Sequence, residues 1–457
     1  MSHADTALPV SLDREADTPL AVQLADALRR AAATGHLRGG DRLPSTRALA
    51  DRLGVSRTVT SAAYEQLHAE GWIAGRHGSG TYVTTPPSFA ATDHPVPGPL
   101  RAAEAEQSSL LDLSPGTPWA GGLDRAAWRR AWRAAADPDP LIRAHRAGLP
   151  EYRSAVSEHL LRHRGLAAGS VLATGGTTAA VVELATAVLR RGDLVAVEEP
   201  GYQRAVQAFR QAGLRVSGVP VDEEGLQPDA VPAGARAVYC SPAHQYPMGS
   251  RLSAARRVEL VERARAEGML IIEDDYDGEL RFDVAPLPML AALAPDVVAH
   301  LGTTSKILTP TLGAGWMVAP AAVAEAVLGY RELTGTRPSP AGQRVLIEFA
   351  RAGDLGRHLR KLRREMAERR TVLAAALAAA QVPVLGDDAG AHLVVPFSSP
   401  EMEAERIAAA ELRGIRLDGL SRHFAATPTV YGVALGYAGC SREALVAALP
   451  AVVRLLR

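Results

Sequence analysis

Lysine is almost missing from this sequence. Of fifty Lys and Arg residues in 457, lysine stands only at Lys306 and Lys361. Cysteine is as scarce: Cys240 and Cys440 are too few and too far apart for a disulfide framework or a cysteine metal site, which agrees with a reducing compartment. No apolar run approaches the roughly 20 residues that cross a bilayer. The opening stretch MSHADTALPVSLDREADTPL is acidic where a secretory signal would be basic and then apolar. Both absences point to a soluble, cytoplasmic protein. Charge of one sign is lacking too, since 50 basic residues face 50 acidic ones. That balance excludes a wholly basic protein and leaves any nucleic-acid surface confined to a local patch. What is plentiful is apolar content, 47% of the chain, enough for a large core and roughly three structural units.

The pattern changes along the chain. Residues 1–16 are expected to be a disordered N-terminus and 17–85 a first module. Residues 86–110, rich in Pro, Ala and polar side chains without a sustained period, read as a linker. From 111 to 457, short apolar runs such as DLVAVEEP, ARAVYCSP, GMLIIEDD and DVVAHLG alternate with helical stretches, which predicts an α/β body with a mostly parallel sheet covered on both faces. From about residue 340 the period is mainly helical, the expected start of a smaller α+β lobe.

In the first module, Ser45 is placed to cap a helix running through Leu53, Gly54-Val55 to make a turn, and Ser56 to cap a second helix from Arg57. Val59, Ala63 and Leu67 fall on one face of that helix, with Arg57, Thr58 and Ser61 elsewhere. This is the pattern of a helix-turn-helix whose second helix enters the major groove. WIAGRHGSGTYV then reads as a hairpin wing with its tip at His77-Gly78-Ser79-Gly80. The plain alternative is a small helical domain with surface arginines. GDRLPSTRALADRLGVSRTVTSAAYEQLHAEGW and GSGTYV, however, resemble the winged helix of GntR-type bacterial regulators. The resemblance implies DNA contacts by Arg47, Ser56, Arg57, Thr58 and Ser61, with His77 and Gly78 in the wing.

Lys306 lies in TTSK, directly after a predicted strand, at the sheet edge where open α/β folds hold ligands. An amine can be deprotonated and condense with an aldehyde, whereas a guanidinium cannot. Taken alone it could equally be an exposed cation. SVLATGGTTAAVVE predicts a strand, a Gly-Gly turn and a helix whose first amides could cradle a phosphate, or simply a tight strand–helix packing. IIEDDYD ends another strand in Asp274 and Tyr276; such acids also serve as metal ligands or salt-bridge partners. Together, EEPGYQR, SPAHQYPMG, IIEDDYDGELRFD and TTSKILTP resemble the fold-type I aminotransferases. With the first module, the chain resembles the MocR/GabR subfamily of GntR regulators.

That resemblance implies pyridoxal phosphate (PLP) as cofactor. Lys306 would form the internal aldimine, Asp274 would pair with the ring nitrogen, Tyr276 would approach the ring hydroxyl and Tyr202 would stack on the ring. Gly176, Thr177, Thr178 and Thr303 would hold the phosphate, and Arg204, His244, Gln245 and Tyr246 would line the ligand cleft. Two departures matter. Gly313 stands where relatives carry an arginine on the phosphate, so PLP affinity is expected to be weakened, and Ala434 stands where aminotransferases carry the arginine that grips a substrate carboxylate. Ligand sensing is therefore expected ahead of turnover. The alternatives are an active aminotransferase and a regulator that has lost PLP. The resemblance also implies a homodimer, in which a partner's Arg143 could replace the charge missing at Gly313. Lys361 is expected on a solvated basic helix, without a role.

Overall fold

The computed structural model describes residues 10–76, 80–84, 111–143, 145–281, 288–386 and 389–457. His77, Gly78 and the linker of residues 86–110 lie outside the described residues. The chain divides into two compact units, Met1–Glu104 and Ala105–Arg457.

The first unit is built from helices Leu20–Ala33, Thr46–Leu53 and Arg57–Ala69 and a small antiparallel sheet. Ser45 and Ser56 cap the second and third helices by accepting from Ala48 N and Val59 N. Between them Gly54 sits at φ +62, a left-handed conformation that costs glycine nothing and ends the second helix. The buried face of the third helix is Thr60, Ala63, Tyr64 and Leu67, wider than the expected Val59, Ala63 and Leu67, because two polar side chains are satisfied inward. Thr60 Oγ1 donates to Thr46 O at 2.8 Å and the Tyr64 hydroxyl to Pro44 O at 2.8 Å. Strands Ile73–Arg76 and Gly80–Val83 form the wing, and Arg42–Leu43 adds a third strand. Residues 10–16 were expected to be disordered, yet Val10 and Leu12 pack against this unit's core and Arg14 donates to Gly54 O at 2.5 Å.

The second unit centres on an eight-stranded sheet. Its order is Val171–Thr174, Gly315–Val318, Val298–Thr303, Leu270–Asp275, Ala235–Cys240, Leu194–Glu199, Arg215–Asp222 and Gly225–Leu226. Gly315–Val318 and Gly225–Leu226 pair antiparallel with their neighbours, while the four apolar runs seen in the sequence pair in parallel. Two apolar cores cover the two sheet faces: Val238 and Ile271 enter one, and their chain neighbours Tyr239 and Ile272 the other. Beyond the 26-residue helix Asp354–Ala379, a three-stranded antiparallel sheet (His392–Phe397, Tyr431–Gly436 and Asp418–Gly419) forms the smaller α+β lobe. Leu111–Asp112, where the body begins, pairs with Ile415–Arg416. Among the described residues no helix is long and apolar enough to cross a membrane.

Candidate functional site

The carboxyl ends of four strands converge on one cavity of about 480 Å³. Asp274 and Tyr276 come from the end of Leu270–Asp275, Thr303, Ser305 and Lys306 from the end of Val298–Thr303, and Gly176 from the turn after Val171–Thr174. Tyr202 follows Leu194–Glu199 and begins the helix Gln203–Gln211. The crossovers of a parallel sheet bring these residues together from segments over a hundred positions apart.

Lys306 Nζ donates to Gly116 O at 2.7 Å. Burial pulls its amine below the ordinary lysine range, against the opposing pull of Asp277 and Asp274, so a larger fraction is neutral and nucleophilic. Asp274 is fully enclosed. Burial pushes its carboxyl up to about 7, although the Tyr239 hydroxyl donates to Oδ2 and favours the charged form. Its Oδ1 has no hydrogen-bond partner, the position of an acceptor awaiting an N–H.

Across the cavity, the helix Thr177–Ala187 starts at Gly176 with no side-chain cap, leaving its first amides for an anion. Gly176 has φ +119, and a Cβ there would lie 3.3 Å from Thr303 Oγ1, so both backbone conformation and space favour glycine. Hydroxyls surround this end: Thr303 Oγ1 donates to Ser305 Oγ at 2.9 Å, and Thr178 Oγ1 meets the Tyr202 hydroxyl at 2.9 Å. Tyr246 stands edge-on to Tyr202 and Tyr276, with ring centroids 6.1 and 6.0 Å away. Burial raises the phenols of Tyr202, Tyr246 and Tyr276, so all three stay neutral donors.

Ten of the twelve residues expected at the cleft line this cavity; Thr177, Arg204 and Tyr246 are among them. The other two do not. Gln245 is buried behind it as a brace, donating to Pro200 O and Tyr246 O and accepting from Met248 N. His244 is also buried; its Nδ1 meets Asp277 Oδ2 at 2.8 Å and the Tyr276 hydroxyl at 3.1 Å, so it supports cavity residues from outside. The sequence reading missed Ser305, Asp277, His392, Arg422 and the loop Pro115–Pro118, all of which line the cavity. Ser305 lay inside the TTSK motif, and Asp277 followed IIEDDY; the others carry no local signal.

Gly313 has φ +58, with open space where a Cβ would be, and Arg143 is exposed and does not line its own chain's cavity. Lys361 is exposed but not free: its Nζ donates to Gly122 O at 3.1 Å and lies 5.5 Å from the Trp119 ring centre. In the first unit Arg47, Arg57 and Thr58 are exposed, and Ser61 is half-buried. Ser56 is exposed with its Oγ committed to the cap. Arg76 lies over the Tyr82 ring at 4.9 Å.

Comparison with known proteins matches residues 20–83 to the bacterial regulatory proteins of the gntR family and residues 111–419 to aminotransferase class I and II. The latter family binds PLP. The chain is 34% identical to the HTH-type pyridoxine biosynthesis transcriptional regulator PdxR of Corynebacterium glutamicum, over 96% of each chain. It is 33% identical to the probable rhizopine catabolism regulatory protein MocR of Rhizobium meliloti, over 94% of this chain and 92% of that one. The Pyrococcus horikoshii kynurenine aminotransferase shares the body's fold, with a TM-score of 0.69 at 22% identity, covering 77% of this chain and 91% of that one. Both halves match in the same order and the similarity runs nearly end to end: the chain belongs to the MocR/GabR subfamily of GntR-type transcriptional regulators, a winged helix-turn-helix joined to a fold-type I aminotransferase-like body.

Proposed function

We propose that this regulator binds operator DNA through Arg47, Arg57, Thr58 and Ser61 of its winged helix and senses PLP, alone or with an amino compound, in the body. When bound, PLP supplies an aldehyde for the amine and a pyridine ring that acts as an electron sink. The observation that carries the reading is the unpartnered Oδ1 of buried Asp274 in the same cavity as the depressed amine of Lys306 and an uncapped helix start. A ring N–H would give Asp274 its missing donor and hold it ionised. The amides at Gly176 and Thr177, with Thr178, Thr303 and Ser305, would take the phosphate, and Tyr202 and Tyr276 would hold the ring's face and edge. The family implies a homodimer for this reading, with the partner's copy of the exposed Leu141–Arg143 stretch near the cleft.

Sensing is favoured over turnover because Ala434 supplies no guanidinium to orient a reacting amino acid. Titrating the full chain with PLP is expected to produce a visible absorbance band that Lys306→Ala and Lys306→Arg both abolish. An unchanged band in either variant would defeat the assignment of the amine. In the same titration Arg143→Ala should weaken uptake; unaltered affinity would remove the contribution of a second copy.

A further inference from the structure

We infer that His244 and Asp277 act as a positioning pair that turns the Tyr276 hydroxyl toward the cleft, as a hydrogen-bond donor to the ring oxygen of a ligand held at Lys306. The inference rests on the reading above and gives a task to His244, which does not line the cavity.

Three polar groups meet at one point behind the cavity. His244 Nδ1 lies 2.8 Å from Asp277 Oδ2 and 3.1 Å from the Tyr276 hydroxyl, with His244 and Asp277 both buried. A carboxylate can only accept, so the closer contact requires a proton on Nδ1. The other ring nitrogen agrees. Nε2 is buried without a partner, and moving the proton there would strand a donor and lose the contact to Asp277 as well.

With Nδ1 protonated, Tyr276 cannot give its hydroxyl proton to the imidazole. That proton is left for Asp277, whose carboxylate it also reaches, or for the cleft, which both residues line. Because His244 already serves Asp277 Oδ2, a ligand oxygen can take the tyrosine proton without stranding the carboxylate. Burial first, and then the charge of Asp277, holds the phenol well above its ordinary range, so the proton is there to give.

The neighbouring chain makes room for the pair and pins it. Gly390 has φ +71, and a Cβ there would collide with His244 Cε1 and come within 2.9 Å of Asp277 Oδ2. Its N–H donates to Leu280 O at 3.1 Å, beyond Asp277, and Arg281 Nη1 donates to Ala243 O at 3.0 Å, next to His244. His392, its ring centre 5.1 Å from that of His244, turns Nε2 to Pro247 O instead. Tyr246 and Asp274 act on the Tyr276 phenol, and Asp277 on the Lys306 amine.

The test reads the pH midpoint of the visible band of the full chain loaded with PLP. A donor on the ring oxygen favours the proton-poor chromophore, so losing it moves the midpoint up. Tyr276→Phe should raise it by about one to two pH units, and His244→Gln by about one. Asparagine places an amide N–H where histidine has Nδ1, glutamine where it has Nε2. His244→Asn should therefore hold the midpoint near wild type, and His244→Gln should add nothing in the Tyr276→Phe background. Equal shifts in His244→Asn and His244→Gln, an additive shift in the double variant, or an unmoved midpoint in Tyr276→Phe each overturn the inference. If the chain takes up no PLP, the proposed function fails by itself. The unloaded protein then decides, by NMR of isotope-labelled histidine with the His244 signals identified by their absence from both variants: a proton on Nδ1 sustains the pair, and a bare Nδ1 ends it.

Discussion

Asp274 shows how one enclosed carboxyl can bias both stability and binding. Burial raises it from an ordinary 3.8 to about 7, while the bond from Tyr239 and the charge of Lys306 pull the other way. A raised acid destabilises the fold as pH climbs, because the unfolded chain releases its proton near pH 4 and the folded chain keeps it to about 7. Its contribution is therefore neutral below pH 4 and unfavourable by as much as roughly 4 kcal/mol above pH 7. Asp274→Asn removes that titration. In thermal unfolding of the PLP-free protein, the variant should gain on wild type steadily between pH 4 and 7 and hold its advantage at pH 8. A difference independent of pH would mean that Asp274 ionises normally. The same substitution should weaken PLP uptake, since the amide cannot hold a pyridinium as an anion does. Under the proposed function, the residue favours occupancy at the expense of the empty protein.

At the scale of elements, the helix-turn-helix depends on short-range chemistry. Ser56 caps the third helix and Thr60 ties it to the second. Ser56→Ala should cost the first unit about 1 kcal/mol with little effect on the salt dependence of DNA binding. Arg57→Ala should leave stability nearly unchanged and flatten the salt dependence by about one phosphate contact, measured on a random-sequence duplex across a salt series. Equal slopes for wild type and Arg57→Ala would take Arg57 off the DNA. Local rules of this kind are why Ser45, Gly54 and Ser56 were legible in the sequence, and why the parallel strands appeared as continuous apolar runs. The antiparallel strand Gly315–Val318 was not legible, because its place in the sheet depends on pairing with Val171–Thr174, more than a hundred residues away, as well as with the nearby Val298–Thr303. The cavity divides in the same way. Lys306, Asp274 and Tyr202 sit in motifs, whereas Arg422 and His392 reach it through the small sheet. Gln245 lay in a motif and turned out to be a brace, since sequence spacing says which segment is near a site and not which way an amide points.

For the whole molecule, the question is how an event at Lys306 could reach the DNA-binding unit. Lys306 Nζ donates to the carbonyl of Gly116, in the loop Pro115–Pro118 that lines the cavity. That loop follows Leu111–Asp112, the first described strand after residues 85–110, and Leu113 N and O are tied to Arg416 O and Gly436 N. An amine condensed with an aldehyde could not donate to Gly116 O in the same way, so under the proposed function loading the cleft would release the start of the body from Lys306. Linkage then sets a condition that any such coupling must meet: if PLP changes operator affinity by some factor, operator DNA changes PLP affinity by the same factor. We expect that factor to lie at about 5- to 150-fold in both titrations, measured on an operator found by footprinting, and to fall to one in Lys306→Ala. Unequal factors would show that the two measurements do not share one equilibrium. A factor of one in wild type would leave the body without influence on the head, because a ligand that binds both states equally shifts neither, however tightly it is held.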